Sequence, residues 1–457
     1  MTSKGSFASF CLAVFVMANT QGLSGQSSSA PVLSLDDAVS MAKSANPQMT
    51  MTRANQRGAA TEIGAARSAL LPKIGVSESF TDSTDPVFAF GARLRQGRFA
   101  AADFAPNRLN YPAPTSDFMS TAGATWMLFD SGSTLHQMRS ARTSLKVAEE
   151  QTEATGQGIA FSVVRGYYRA LLSDQDKVAT AAAVDRAQAF AKQAHDRVDT
   201  GMALAADAMQ ADVEVSLRKQ DAAEAESNAV LAYADLAGVL GDPSKTFALA
   251  APPGTPGEIS DSLEQLQSMA LQARPDLMAA KNRVAAAGQS VSASRAAYGP
   301  QISTFANVQA DNPHALGGGS NNWTVGAKIE MQLFDGGARH AQVSKAAASM
   351  DASAAMYRQA EIQAAIQVKQ AYYARQTAER QYGISDEMLR KTQATLKTAE
   401  DRYSAGLVTV TEVLREQEQL RDMEINRAQS LYQWWTADAQ LRLATGTMNG
   451  NAAGVHP

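Results

Sequence analysis

An internal duplication constrains this sequence more than any other feature, because a chain that repeats one long pattern must be built as two similar halves. In the second part of each half the offset is 205 residues, and it aligns Phe129–Gly132 with Phe334–Gly337, Tyr167-Tyr168 with Tyr372-Tyr373, and Gly201 with Gly406. Upstream the offset is 228 residues, and it aligns Leu71-Pro72 with Gly299-Pro300. The difference, 228 − 205 = 23 residues, is an insertion in the first half between Pro72 and Phe129.

Two long windows without proline determine where helices can form. No proline occurs in residues 115–242 or in residues 314–456. Since proline costs about 3 kcal/mol inside a helix, both windows permit uninterrupted helices, and apolar residues recur within them at helical spacing. We predict long helices at about 132–200 and 337–404, each on the order of 100 Å long. Helices of this length exclude a compact globule.

The segments that lead into these helices alternate between two kinds of residue, which indicates β-strands. From Trp323 to Leu333 the odd positions are apolar and the even positions are polar or glycine. The predicted strands lie at about 73–81, 118–129, 301–310 and 323–334. Their lengths are close to the roughly 9–11 residues of a tilted membrane-spanning strand.

Two interpretations of these strands are open. Alternation alone is more common in soluble sheets that bury one face. The membrane interpretation has a condition, because four strands are too few to close a barrel and an open sheet leaves unpaired polar groups in the bilayer. It therefore requires several copies of the chain that pool their strands.

Composition sets the limits of the predicted domains. Lys4, followed by an apolar run too short to span a bilayer, predicts a secretory signal peptide. A stretch rich in Pro, Gly and Ser between the halves predicts a linker. The predicted order is a signal peptide at about 1–25, a first repeat at 26–241, a linker at 242–261, a second repeat at 262–446 and a tail at 447–457.

Several functional classes find no support in the sequence. The only cysteine, Cys11, lies in the predicted signal peptide, so the mature chain would have no thiol for disulfides, metal sites or catalysis. A net charge of −4 carries no nucleic-acid signature. The five histidines show neither metal-ligand spacing nor a nucleophile partner. We therefore predict that the chain is not an enzyme and has no catalytic residues, cofactor or metal site.

The duplication, the strand pairs and the two long helical hairpins together resemble the TolC family of outer membrane efflux factors. The most specific local match is Tyr403–Leu414 (YSAGLVTVTEVL), and Val198–Asp207 is a weaker copy of it. The resemblance implies a mainly α protomer with a small membrane β part. Its helical hairpins would form an α-barrel, and its four strands would join a twelve-stranded β-barrel in a homotrimer.

The resemblance also implies a location, a function and partners. The protein would lie in the outer membrane of a Gram-negative bacterium, in contact with its lipid, and extend into the periplasm. It would be the passive exit duct of a tripartite efflux or type I secretion system, working with a periplasmic adaptor protein and an inner-membrane transporter. The alternative is a periplasmic structural coiled-coil protein. The cargo stays open.

Two turns carry the predicted adaptor contact. In the family the corresponding turns face the inner membrane and dock the adaptor. The predicted contact residues are Gly201, Met202, Ala203, Gly406, Leu407 and Val408. Under the alternative interpretation the two glycines only end helices, although that role leaves the apolar residue after each glycine unexplained.

A closed entrance is the second role that the resemblance implies. Asp207 and Tyr403 match positions that link neighbouring coiled coils, and Glu412 matches an acidic ring that lines the pore and favours cations. Val408 stands where relatives have an arginine, and Arg415 stands where they have a second acidic residue, so one ring is predicted to be partly neutralised. The alternative for Glu412 is an ordinary solvated side chain.

The insertion falls in a predicted loop at 82–117 that is rich in Phe and Arg. Three roles are open for this loop. The alternatives are an extracellular plug, a loop that faces lipopolysaccharide, and a variable surface loop.

Overall fold

The computed structural model describes residues 32–252, 254–315, 317 and 320–448. The predicted signal peptide at 1–25 and residues 449–457 of the predicted tail lie outside the described residues. The described part of the chain begins with strand β1 (Val32–Leu33) and helices α1 (Leu35–Ala45) and α2 (Pro47–Ser68). The rest of the first half consists of β2 (Lys73–Ser83), α3 (Pro86–Arg95), a 3₁₀ turn (Ala101–Phe104), α4 (Pro106–Asn110), β3 (Thr115–Phe129), α5 (Ser133–Asp199) and α6 (Ala205–Val239).

The second half repeats this order without the insertion. Its elements are β4 (Ala248–Leu249), α7 (Leu263–Ala273), α8 (Pro275–Ala296), β5 (Gln301–Asn312), β6 (Ser320–Glu330), α9 (Ala338–Ser404) and α10 (Val410–Thr445). Helices α5 and α9 both contain 67 residues and start 205 positions apart. Helices α1 and α2 recur as α7 and α8, 228 positions later. The structure thus confirms a mainly helical fold built from a tandem repeat.

The repeated Phe-Asp-x-Gly motif is the N-terminal cap of each long helix. The Asp130 carboxylate accepts the backbone N–H groups of Gly132 at 3.2 Å and Thr134 at 2.7 Å. Gly132 has φ 85°, a conformation in which a side chain would be strained. Asp335 and Gly337 repeat this arrangement at the start of α9. The motif recurs because an unpaired helix end needs acceptors for its first N–H groups.

The four longer strands form one antiparallel sheet in the order β2-β3-β5-β6. Residues 73–83 pair with 115–125, so β3 begins three residues before the predicted start at 118. Strand β6 ends at Glu330, and the prediction that it continues to 334 was wrong. The physical reason is its partner, because Glu330 pairs with Gln301, the first residue of β5 after Pro300. Beyond Glu330 no partner strand is available among the residues that the structure describes.

The helices form an open layer that follows the order of the strands. Near the sheet, neighbouring helices contact one another in the order α2, α5, α8, α9. Toward the other end of α5 and α9 the order becomes α6, α5, α10, α9. Each long helix therefore runs from the sheet to a distant hairpin turn, and the layer has free edges at α2 and α6 on one side and at α9 on the other.

The main hydrophobic core lies midway along the long helices. Tyr168 of α5 stacks on Tyr432 and Trp435 of α10, both with ring centroids 5.8 Å away. The Tyr167 hydroxyl lies 2.9 Å from the Leu33 carbonyl and 2.7 Å from the Ala250 carbonyl. The core thereby fixes the short parallel sheet of β1 and β4, and β4 lies within the predicted linker at 242–261.

Candidate functional site: the two-faced sheet and the hairpin tips

The four-stranded sheet has one apolar and one polar face, and most residues of both faces are accessible in the protomer. The strand register brings apolar side chains of β2, β5 and β6 to the same face. The most exposed are Ile74, Val76, Phe80, Val308, Trp323, Val325 and Ile329, each with more than half of its surface accessible. Contact between water and an apolar band of this size is energetically unfavourable. The other face carries Ser77, Ser79, Thr121, Asn307, Gln309 and Lys328.

The length of the sheet matches the apolar part of a bilayer. Strands β2 and β6 each contain 11 residues. At about 3.3 Å per residue such a strand is roughly 36 Å long. Tilted by about 45°, it covers the roughly 25 Å of an outer-membrane apolar band.

The helical layer has exposed apolar residues along the same two sides as the sheet edges. Met209, Val213 and Leu217 of α6 follow one another at four-residue spacing and are exposed. Helix α9 exposes Ile384 and Met388 on the opposite side of the layer. Since β2 and β6 are likewise the two unpaired sheet edges, the protomer is a layer with an unpaired edge on each side.

The two hairpin turns have the same helix-ending geometry. Gly201 and Gly406 have φ of 73° and 76°, and each lies just past the C-cap residue of its helix. The N–H of Met202 donates to the Arg197 carbonyl, and the N–H of Leu407 donates to the Arg402 carbonyl, both at 2.8 Å. Both glycines therefore end helices, as the alternative interpretation expects.

The apolar residues after these glycines face solvent. Met202 is 65% exposed and Leu407 is 69% exposed. The helix-ending role of the glycines does not account for this exposure. Ala203 is half-buried, and Val408 packs against the apolar cluster inside the tip, so Met202 and Leu407 are the outward apolar contacts among the six predicted residues.

Arg197, which the sequence analysis did not identify, ties the two tips together. Its guanidinium lies 4.7 Å from the centre of the Tyr403 ring and donates to the Tyr403 carbonyl at 2.6 Å. Gln210 of α6 adds a weaker bond to Thr411 of α10, at 3.3 Å. The repeat places Arg197 and Arg402 at equivalent positions, and no sequence signal distinguishes the arginine that crosses between hairpins.

Two of the predicted gate residues, Tyr403 and Asp207, lie at the contact between Arg197 and Tyr403. Tyr403 is buried beside Phe190, with ring centroids 5.0 Å apart. Within the described part of the chain its hydroxyl has no hydrogen-bond partner. Burial raises the pKa of that hydroxyl, Arg197 opposes the shift, and the negative charge of Asp207 adds to it. The Asp207 carboxylate accepts the N–H of Leu204 at 3.1 Å and so caps α6.

Glu412 lies in the first turn of α10 and is half-buried. Among the residues that the structure describes, it forms no ion pair within 4 Å. Arg415, one turn further along, pairs with Glu416 at 3.0 Å. The positive charge at 415 is thus compensated locally.

Ion pairs hold α10 against three neighbouring helices. Arg421 pairs with Asp221 of α6 at 2.5 Å, and Glu424 pairs with Arg186 of α5 at 3.0 Å. The third pair joins Arg427 to Asp386 of α9 at 2.6 Å. The Arg427 guanidinium, through this hydrogen bond, lowers the pKa of the Asp386 carboxyl. Helix α10 is therefore linked by charge to both hairpins.

The described residues contain neither a metal-binding cluster nor a helix suited to span a membrane. In the described ranges no group of three His, Cys, Asp or Glu side chains could hold a metal ion. None of the helices described is both long enough and apolar enough to cross a bilayer.

Comparison with known proteins decides the family. The model of the family described as outer membrane efflux protein matches residues 38–242 and 266–447, which together make up most of the chain and correspond to its two halves. The chain belongs to the outer membrane efflux protein family. It is accordingly a protein of the Gram-negative outer membrane and a component of export systems.

Individual relatives support this membership of the outer membrane efflux protein family. Protein CyaE of Bordetella pertussis is 27% identical over 84% of this chain and 78% of its own length. Outer membrane protein OprJ of Pseudomonas aeruginosa is 31% identical, over 34% of this chain and 31% of its own length. The cation efflux system protein CusC of Escherichia coli is 31% identical over 34% of this chain and 36% of its own length.

Solved structures show the same fold. A crystal structure of CusC has a TM-score of 0.77 at 20% identity and covers 90% of this chain and 92% of its own. The CmeC outer membrane channel of Campylobacter jejuni has a TM-score of 0.73 at 18% identity and covers 95% of this chain and 94% of its own. The layer of strands and helices in this efflux protein therefore has the fold of known outer membrane channels.

Proposed function

We propose that three copies of this chain close into a passive exit duct across the outer membrane and periplasm. The observation that carries the proposal is the pair of free edges. Strand β6 of one copy would pair with β2 of the next, and α9 would pack against the adjoining α2 and α6. Ring closure would pair every edge N–H and C=O group that a bilayer cannot solvate.

The strand count favours three copies over two. Two copies would give eight strands, and an eight-stranded barrel has an interior that side chains fill. Three copies give twelve strands around a wider interior, and the apolar face of each sheet then meets lipid. The polar face, with Ser77 and Gln309, lines the water-filled passage. The family resemblance supplies the same number.

The hairpin tips are the proposed contact with a periplasmic adaptor protein. Met202 and Leu407 are exposed apolar side chains on turns closed by backbone hydrogen bonds, and paired helix tips present them at the far end of the duct. Gly201 and Gly406 have no side chains, so nothing projects from either turn at these positions. The adaptor would connect the duct to an energised inner-membrane transporter, and we assign the choice of cargo to that transporter. No residue of the duct performs bond chemistry.

Asp207, Tyr403 and Glu412 are proposed to control the periplasmic entrance. Three copies of Glu412 near a common axis would repel one another and favour cations. Opening would shift α9 and α10 between a packed and a splayed arrangement, biased by the adaptor. The family resemblance assigns these roles, and the position of Tyr403 and Asp207 at the tip supports them.

Membrane fractionation and bilayer recording test the proposal together. We expect the protein to sediment with the outer membrane, to require detergent for extraction, and to form ion-conducting pores in planar bilayers. A periplasmic structural coiled-coil protein would instead be released without detergent and would conduct no current.

A further inference from the structure

The insertion between β2 and β3 forms a small folded unit at the end of the sheet that lies away from the long helices. The second half has only a short connection at this point, between Asn312 and Ser320. The insertion packs on itself through Phe90, Phe99 and Phe104, with consecutive ring centroids 4.7 and 5.0 Å apart. An ion pair between Arg93 and Asp103 at 2.9 Å joins α3 to the 3₁₀ turn. The insertion therefore has a defined shape.

Helix α3 is attached to the sheet through two buried carboxylates. The Arg95 guanidinium lies 3.0 Å from Asp311 and 4.0 Å from Asp117. The Gln96 side-chain amide donates to Asp117 at 2.8 Å and to the Ser116 carbonyl at 2.9 Å. The Asp311 side chain is 0% exposed and the Asp117 side chain is 4% exposed. Arg95 thus compensates two negative charges that have little access to water.

Both carboxylates belong to the polar face. Asp117 lies opposite Thr81, and Asp311 lies opposite Met119 and Ser320. Side chains alternate between the faces of a sheet, so these positions share the face of Ser77 and Gln309. Four residues of the described four-stranded sheet are buried, all at this end, and three of them, Thr115, Asp117 and Asp311, lie on the polar face, whereas Asn312 lies opposite Phe118 on the other face. The insertion covers the polar face and leaves the apolar face open.

We propose that the insertion is an inward-folded cap on the outer mouth of the duct and that Arg95 is the latch that holds it there. This inference rests on the proposed trimeric duct, in which the polar face lines the passage. Three caps, one from each copy, would narrow the exit. Removal of Arg95 would leave Asp117 and Asp311 without a cation and release the cap outward toward water.

Thiol labelling from outside the cell tests the cap independently of the periplasmic entrance. Cys11 is the only cysteine, so a Cys11→Ala background carries no other thiol. Ser77→Cys and Val76→Cys place a thiol on neighbouring residues of one strand, the first on the polar and the second on the apolar face. The probe is a bulky, membrane-impermeant maleimide added to intact cells.

The expected result is slow labelling of Ser77→Cys that becomes several-fold faster when Arg95→Ala is added. Arg108→Ala is the matched control, because Arg108 is 62% exposed and pairs only within the insertion; it should leave the rate unchanged. Equal labelling rates with and without Arg95 would overturn the cap. Rapid labelling of Val76→Cys would instead contradict the lipid-facing assignment, and with it the proposed duct.

A designed cross-link tests the same packing without removing a charge. Gly97 has φ 67°, which strains a side chain there, but a Cβ built on it would lie 3.9 Å from the Ser320 Cβ, within the usual disulfide range of about 3.5–4.5 Å. Gly97→Cys with Ser320→Cys should therefore oxidise to an intrachain disulfide in outer membranes, visible as a gel shift that a reductant reverses. Persistently free thiols under oxidising conditions would place the insertion away from β6 and overturn the proposal.

Discussion

The Arg197 guanidinium stacks on the Tyr403 ring at 4.7 Å and donates a 2.6 Å hydrogen bond to the backbone carbonyl of the same residue. This contact joins the last turn of α5 to the last turn of α9. The Tyr403 carbonyl also accepts the backbone N–H of Gly406 at 2.9 Å, so Arg197 is its second donor. The two halves of the chain are therefore linked at the tips as well as in the core.

Loss of this contact should loosen the periplasmic tip. We expect Arg197→Ala to weaken the packing of the two hairpins by about 1 kcal/mol, because a partly exposed charged hydrogen bond is lost. Pore conductance in planar bilayers should rise. Arg402→Ala is the control, since Arg402 occupies the equivalent position on the other hairpin and is exposed. Equal effects of the two substitutions would show that Arg197 has no special role.

The Tyr403 hydroxyl should make the tip sensitive to alkaline pH. Burial raises its pKa above the ordinary value of 10.0, so the neutral form stabilises the folded tip at lower pH. That contribution is lost as the pH rises through the raised pKa. We expect conductance to increase above about pH 10 in the wild type, and this increase to be absent in Tyr403→Phe. Identical pH profiles of the two proteins would contradict the assignment.

The exposed leucine of the second tip should be needed for adaptor binding and dispensable for folding. Leu407→Asp places a charge on a side chain that is 69% exposed, so the stability of the oligomer should change by less than about 0.5 kcal/mol. Site-specific cross-linking to the adaptor in cells should be lost. Leu407→Met, which keeps an apolar side chain, should retain it. Normal cross-linking of Leu407→Asp would remove this residue from the docking surface.

The Phe305 ring should leave no room for a side chain at Gly326, on the polar face of the sheet. A Cβ built on Gly326 would lie 2.6 Å from the Phe305 ring, whereas a Cβ on Gly75 meets nothing within 4 Å. Gly326→Ala should therefore destabilise the sheet by about 1 kcal/mol, since the ring must move, and Gly75→Ala should not. Heating in detergent, with loss of the oligomer as readout, measures the difference. In a Phe305→Ala background the cost of Gly326→Ala should disappear.

The sequence predicts the architecture well because its signals are local and occur twice. The Phe-Asp-x-Gly motif marks the start of both long helices, since a carboxylate acceptor and a left-handed glycine are needed at each start. The end of β6 was predicted less well. It depends on where β5 begins, which is a property of the pairing and not of residues 331–334 themselves.

The site could be predicted only in part. Exposed Met202 and Leu407 follow glycines that recur in both halves, so they carry a sequence signal. Arg197 and Arg95 carry none, because their partners lie 206 and 216 residues away along the chain. Contacts of this kind become visible only when the fold brings distant segments together.

The native mass of the outer-membrane protein, extracted in mild detergent and measured after correction for bound detergent, shows how many copies close the barrel. We expect a single species of three copies of the mature chain, held together by the edges at β2 and β6. A detergent-solubilised monomer with both edges unpaired, or a dimer with eight strands, would contradict the closed twelve-stranded duct.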